Sequence, residues 1–106
     1  MRKEDILKTA IRTLEQRQEM YGSPFDGISM MAQMLSVYLD RMISPHDVCV
    51  IEIIQKICRL KKNNGLHDDS WVDIAGYAGI GSEVAHEDQT VEEFICKEFR
   101  MENTSP

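Results

Sequence analysis

The 106-residue chain reads as all-α, a compact bundle of four to five helices. Apolar residues recur at three- and four-residue steps over long stretches, the period of a helix with one buried face. Two of those stretches open with recognisable caps. The most apolar of them lacks the strict alternation of a half-buried strand.

The first helix spans about Arg2 to Tyr21, with Leu7, Ala10, Ile11, Leu14 and Tyr21 on one stripe. Gly22, Ser23 and Pro24 stop it. The second spans about Asp26 to Met42, with Ile28, Met31, Leu35, Tyr38, Leu39 and Met42 expected to face inward. Its many methionines read as core, although such soft side chains also suit adaptable contacts. The third has the clearest start: Ser44 as N-cap, Pro45 in the first turn, and Asp47 completing a capping-box-like pattern. From Val48 to Leu60 it is apolar nearly all round, which marks a central buried helix. Asn63, Asn64 and Gly65 close it. Asp68 or Asp69 then caps a fourth helix through about Ala85. Gly76, Gly79 and Gly81 weaken that helix, so they are expected to mark close backbone packing. Thr90 and Glu93 form a second capping box, opening a short fifth helix with Val91, Phe94, Ile95 and Phe99. Residues 1–101 make a single domain, and 102–106 are expected to fray.

Composition narrows the function classes. With 42% hydrophobic and 28% charged residues the chain is of globular type. Its net charge of −6 lacks the basic footprint that holds a phosphate backbone, so duplex nucleic acid is not an expected partner. No apolar run approaches the roughly 20 residues that span a bilayer, and the charged N-terminal segment has no signal-peptide core. Cys49, Cys58 and Cys96 lie in apolar segments and read as free thiols of a reducing compartment, hence a cytoplasmic protein. His46, His67 and His86 are scattered through loops and helix ends and read as solvated surface. The glycines from Gly76 to Gly81 lack the preceding strand of a phosphate-binding loop. A domain this small leaves much of its surface exposed, so self-association into a homo-oligomer is expected.

The informative feature is a polar stripe interrupting the third helix. Glu52, Lys56 and Arg59 sit at i, i+4 and i+7, beside Gln55. On the fourth helix Asp69, Asp73 and Tyr77 follow at successive four-residue steps, and the first helix offers Glu15 and Glu19 at the same spacing. Charges are seldom buried unless they are paired or bind something. One explanation is inter-helix salt bridges, with Lys56 and Arg59 held by Glu52, Asp69 or Asp73. The other is a nucleotide pocket: Lys56 and Arg59 on phosphates, Asp73 on a ribose, and Tyr77 or Trp71 stacked on a base. In that case carboxylates hold a metal or a ribose hydroxyl.

The run Lys56-Ile57-Cys58-Arg59-Leu60, followed by Asp69-Ser70-Trp71-Val72-Asp73-Ile74-Ala75-Gly76-Tyr77, resembles a family of small phage proteins with a K-x-x-R-L … D-x-W-x-D-x-x-G-Y pattern. Gln16 to Gly22 and the Ser44-Pro45-x-Asp47 start also fit that family, and the resemblance covers roughly Glu15 to Ala85. It is distantly similar in turn to the MazG-like all-α nucleoside triphosphate pyrophosphatases. That likeness implies a nucleotide-sized cleft and carboxylates holding Mg²⁺. Those enzymes use E-x-x-E and E-x-x-D motifs, whereas the pairs that the likeness would assign to the metal here, Glu15/Glu19 and Asp69/Asp73, stand four residues apart. The expectation is therefore a phage-type nucleotide-binding protein that captures a nucleotide or cyclic-nucleotide signal. A Mg²⁺-dependent pyrophosphatase is the alternative, and a helical adaptor for a host protein a second one.

Overall fold

Caps and turn residues divide the chain into four helices: α1 (Lys3–Tyr21), α2 (Pro24–Leu39), α3 (Pro45–Lys62) and α4 (Asp68–Asn103). The structure is a computed structural model that describes the backbone of residues 1–103 and the side chains of residues 1–87. No strand occurs among the described residues.

The α1–α2 junction is tighter than its sequence suggests. Gly22 takes φ +79° and donates its N–H to the Gln18 carbonyl, ending α1. The next residue already starts α2: Ser23 Oγ accepts from the Phe25 N–H at 3.2 Å, and Pro24 occupies the first turn. The segment expected only to stop one helix thus also opens the next, two residues earlier than expected. At the other end α2 closes at Leu39, because Asp40 turns left-handed at φ 52°. Ser36 Oγ then accepts from the Ile43 N–H at 2.9 Å and pins the turn into α3.

α3 starts as its sequence dictates. Ser44 Oγ accepts from the Asp47 N–H at 3.2 Å, and an Asp47 carboxylate oxygen accepts from the Ser44 N–H at 2.9 Å. Asn64 and Gly65, both at positive φ, reverse the chain after α3. Trp71 Nε1 donates to the Gly65 carbonyl at 2.9 Å and ties that turn to α4. α4 then runs 36 residues without a break, about 54 Å at helical rise. The expected division into fourth and fifth helices is overturned. No proline intervenes, and His86 to Gln89 are all compatible with a helix, so Thr90 and Glu93 fall in a helix interior where no free terminus awaits a cap. The side chains of Val91, Phe94, Ile95, Cys96 and Phe99 lie outside the described residues, as do residues 104–106 of the tail.

α3 packs between α2 and α4, and α1 lies along α4 and the edge of α2. The core joins Ile28 and Ala32 of α2 to Val48 and Cys49 of α3, with Leu35, Ile43, Tyr77 and Ile80 packed against them. Close approach is explicit at Gly81, where an added Cβ would lie 3.1 Å from Cys49 Cβ. Two expectations need correction here. α3 is buried on one face only: Val48, Cys49 and Leu60 are enclosed, whereas Val50, Ile51, Ile54 and Ile57 are open. Of the residues expected to face inward from the second helix, Met31, Tyr38, Leu39 and Met42 are exposed and not core, Met42 by 90%. Ile28, Ala32 and Leu35 already supply the inward stripe, and the turn at Asp40 carries Met42 out of the helix. No described helix is long and apolar enough to cross a membrane.

Candidate functional site: a cavity between α1, α2 and α4

The C-terminal half of α1, the first turn of α2 and the middle of α4 line a cavity of about 380 Å³, within the roughly 300–1,000 Å³ range of small-molecule sites. It is open to solvent on the side of Arg17, Tyr21 and Asp26. Its position follows from small residues. Ala10 and Gly27 keep two walls thin. Gly76 leaves open a volume in which an added Cβ would meet only Leu14 Cδ2, at 3.8 Å. Leu14, Ile28, Val72 and Ile80 make the lining mainly apolar. Arg17, Gln18, Asp26, Asp73 and Tyr77 add polar groups to it, and Tyr21 stands at the edge, exposed. Apolar walls with few convergent polar groups are the usual make-up of a ligand site.

The charges are arranged in two tiers. Lys56 Nζ lies 3.3 Å from Asp73 Oδ2, with the side chains only 12% and 26% exposed, so α3 grips the Asp73 carboxylate. Such a pair is satisfied internally and fixes the direction in which Asp73 meets the cavity. Tyr77 is pushed above the ordinary phenol range, first by burial and then by the negative charge of Glu52, with Arg17 pulling the other way. Its hydroxyl therefore stays protonated at neutral pH and can donate a hydrogen bond. Among the described residues Arg17 is the one basic side chain in the wall. The first turn of α2 also borders the cavity, and a helix N-terminus favours negative charge. Asp26 sits in that same turn and accounts for part of that preference.

The cavity gathers some of the expected site residues and leaves others apart. Asp73 and Tyr77 line it, and Lys56 joins them through its ion pair. Arg59 is exposed and does not line it. Trp71, 45% exposed, also stands outside it and serves the α3–α4 turn. Glu15, Glu19 and Asp69 are exposed and away from the lining. Among the described residues no three His, Cys, Asp or Glu side chains cluster as metal ligands would. Arg17, Tyr21 and Asp26 were not anticipated as site residues. A signal for Arg17 exists: it fills the gap between Leu14 and Tyr21 at steps of three and four, although Leu7, Ile11 and Tyr21 of the stripe expected there are exposed and Ala10 is its buried member.

Two further groups prove structural. His67, read from sequence as solvated surface, is partly buried, with Nδ1 2.7 Å from Ser70 Oγ. Ser70 is fully buried, so this pair steadies the start of α4 and presents no nucleophile to a substrate. Cys49 is buried and its thiol is pushed upward, by burial first and by Glu52 second, which keeps it protonated and inert.

A small helical domain with an inter-helix cavity of ligand size is the class that fold and site define. The chain belongs to the DUF6378 family, described as a domain of unknown function, whose model matches residues 5–85 and so takes in every residue lining the cavity. It is 39% identical over 85 residues to the Gene 55 protein of Mycobacterium phage D29, covering 79% of this chain and 56% of that one. It is also 39% identical over 77 residues to the Gene 55 protein of Mycobacterium phage L5, covering 71% and 49%. The chain thus spans about half the length of these curated relatives. No solved structure matches it.

Proposed function

We propose that this phage-family protein binds a nucleotide, or a cyclic-nucleotide signal, in the cavity between α1, α2 and α4 and holds it without chemistry. The observation that supports this reading most is the pairing of a mainly apolar cleft with, among the described residues, one basic side chain in its wall, Arg17, beside the protonated phenol of Tyr77. A nucleobase suits the apolar interior, Asp26 and Asp73 suit ribose hydroxyls, and Arg17 with the first turn of α2 suits phosphate. The role given to Lys56 changes accordingly: it orients Asp73 instead of meeting phosphate. The volume is at the small end for ligand sites and fits one nucleotide unit. A cyclic dinucleotide needs a second wall, which a neighbouring protomer of a homo-oligomer would supply.

Capture is preferred over MazG-like pyrophosphate release because, of the four carboxylates suited to Mg²⁺, only Asp73 reaches the cavity, and it is already paired with Lys56. One observation favours the adaptor reading: Met30, Met34, Val37 and Tyr38 of α2 are strongly exposed, an apolar, adaptable face. Isothermal titration with nucleoside mono- and triphosphates, cyclic dinucleotides and uncharged nucleosides tests the proposal. Micromolar binding of a phosphorylated ligand is expected, weakened about tenfold or more in Arg17→Ala, whose exposed side chain leaves the fold intact. Absence of heat with every ligand overturns it. Mg²⁺-dependent pyrophosphate release, lost in Asp73→Asn, moves the assignment to hydrolysis.

A further inference from the structure

Burial divides α3 into two apolar faces, and only one has a partner within the chain. Val48, Cys49 and Leu60 turn inward, while Val50, Ile51, Ile54 and Ile57 stay open on the far side, Ile54 by 53%. A solvated face of a helix normally carries charge. Here the seam Asp47, Val50, Ile54, Ile57, Lys61 advances by alternating steps of three and four residues, the spacing by which two helices pack along their length. Charge appears only at its ends, acidic at Asp47 and basic at Lys61. Both stand seven residues from Ile54.

That symmetry is self-complementary. We infer that the outer face of α3 docks against the same face of a second copy of this chain, antiparallel, about a two-fold axis passing beside Ile54. In this arrangement Asp47 lies toward the partner's Lys61 at both ends, and the aliphatic side chains close over one another between them. A parallel pairing would set Asp47 against Asp47 and Lys61 against Lys61, so the end charges select the antiparallel sense. The seam is about 21 Å long. α3 is already held by its own core, so little ordering cost opposes association. An interface that uses one patch on both subunits is the commonest form of homodimer. The inference is independent of what the cavity binds, since no residue of the seam lines it.

Sedimentation velocity of the full chain across micromolar concentrations tests this. A two-fold assembly is expected, and Ile54→Lys should weaken it by about 100-fold, the effect of a charge at the centre of an interface. Ile54 is half exposed in the protomer, so the variant should keep its helical circular dichroism and thermal transition. As a second measurement, in a background with the exposed Cys58 and Cys96 replaced by Ser, Ile54→Cys should give a disulfide-linked dimer on mild oxidation, while Met30→Cys on the outer face of α2 should not. A monomeric wild type, an assembly that Ile54→Lys leaves unchanged, or failure of Ile54→Cys to cross-link overturns the inference. If Ile54→Lys fails to fold, the cross-link decides. Nucleotide titration reads the cavity separately, so failure of one assignment is distinguishable from failure of the other.

Discussion

At Asp47 one carboxylate closes the first turn of α3 and marks one end of its outer seam. Its acidity is raised, first by the backbone N–H of Ser44 and then by the Ser44 hydroxyl and His46, against an opposing effect of burial. With its native pKa held below the ordinary 3.8, the group stabilises the fold above that value. The contribution is lost as pH falls through the depressed native value. Loss of this half of the capping box in Asp47→Ala should cost about 0.3–1.5 kcal/mol at neutral pH, and the gap from wild type should narrow as pH drops below 3.8. Urea unfolding at several pH values and low protein concentration checks this. Such caps were readable from sequence because their donors and acceptors lie within three residues. The partner of Lys56 was not readable in the same way. Spacing offered Glu52, Asp69 and Asp73, and only the packing of α3 on α4 selects Asp73.

Among the elements, α4 shows what helical glycines do in this fold. An added Cβ at Gly79 meets nothing within 4 Å, whereas at Gly81 it comes 3.1 Å from Cys49 Cβ in the core. Gly79→Ala should raise stability by up to about 1 kcal/mol through helix propensity. Gly81→Ala should lower it by about 1 kcal/mol, because the buried Cys49 cannot give way. Thermal melts of the two variants should shift in opposite directions. From sequence the three glycines looked alike, and close packing was expected of all of them. Which faces α3, which faces the cavity and which faces outward depends on the rotation of α4, and three glycines at two- and three-residue spacing do not define a face. Helix existence was legible for the same reason that its limits were not. Periodicity accumulates over many residues, whereas the start of α2 turned on Ser23 alone, and the expected break near Thr90 on a local pattern that a continuous helix tolerates.

At the scale of the molecule, an all-helical architecture was legible, and so was an apolar excess in α3. The sequence could not divide that excess between a core and a surface, because a helix apolar all round looks the same whether its second face meets its own chain or another. Association of the native state adds stability by mass action. The apparent thermal midpoint should accordingly rise with protein concentration, and the rise should vanish in Ile54→Lys. The cavity was legible only in part, since Asp73 and Tyr77 lie on one helix in regular steps while Arg17 and Asp26 reach it from two others. Trp71 adds a practical consequence. It is the sole tryptophan, and its indole is bonded to the Gly65 carbonyl, away from the cavity wall. Its emission is thus a built-in gauge of the joint between α3 and α4. Followed alongside far-ultraviolet dichroism, it separates the opening of that joint from the melting of the helices.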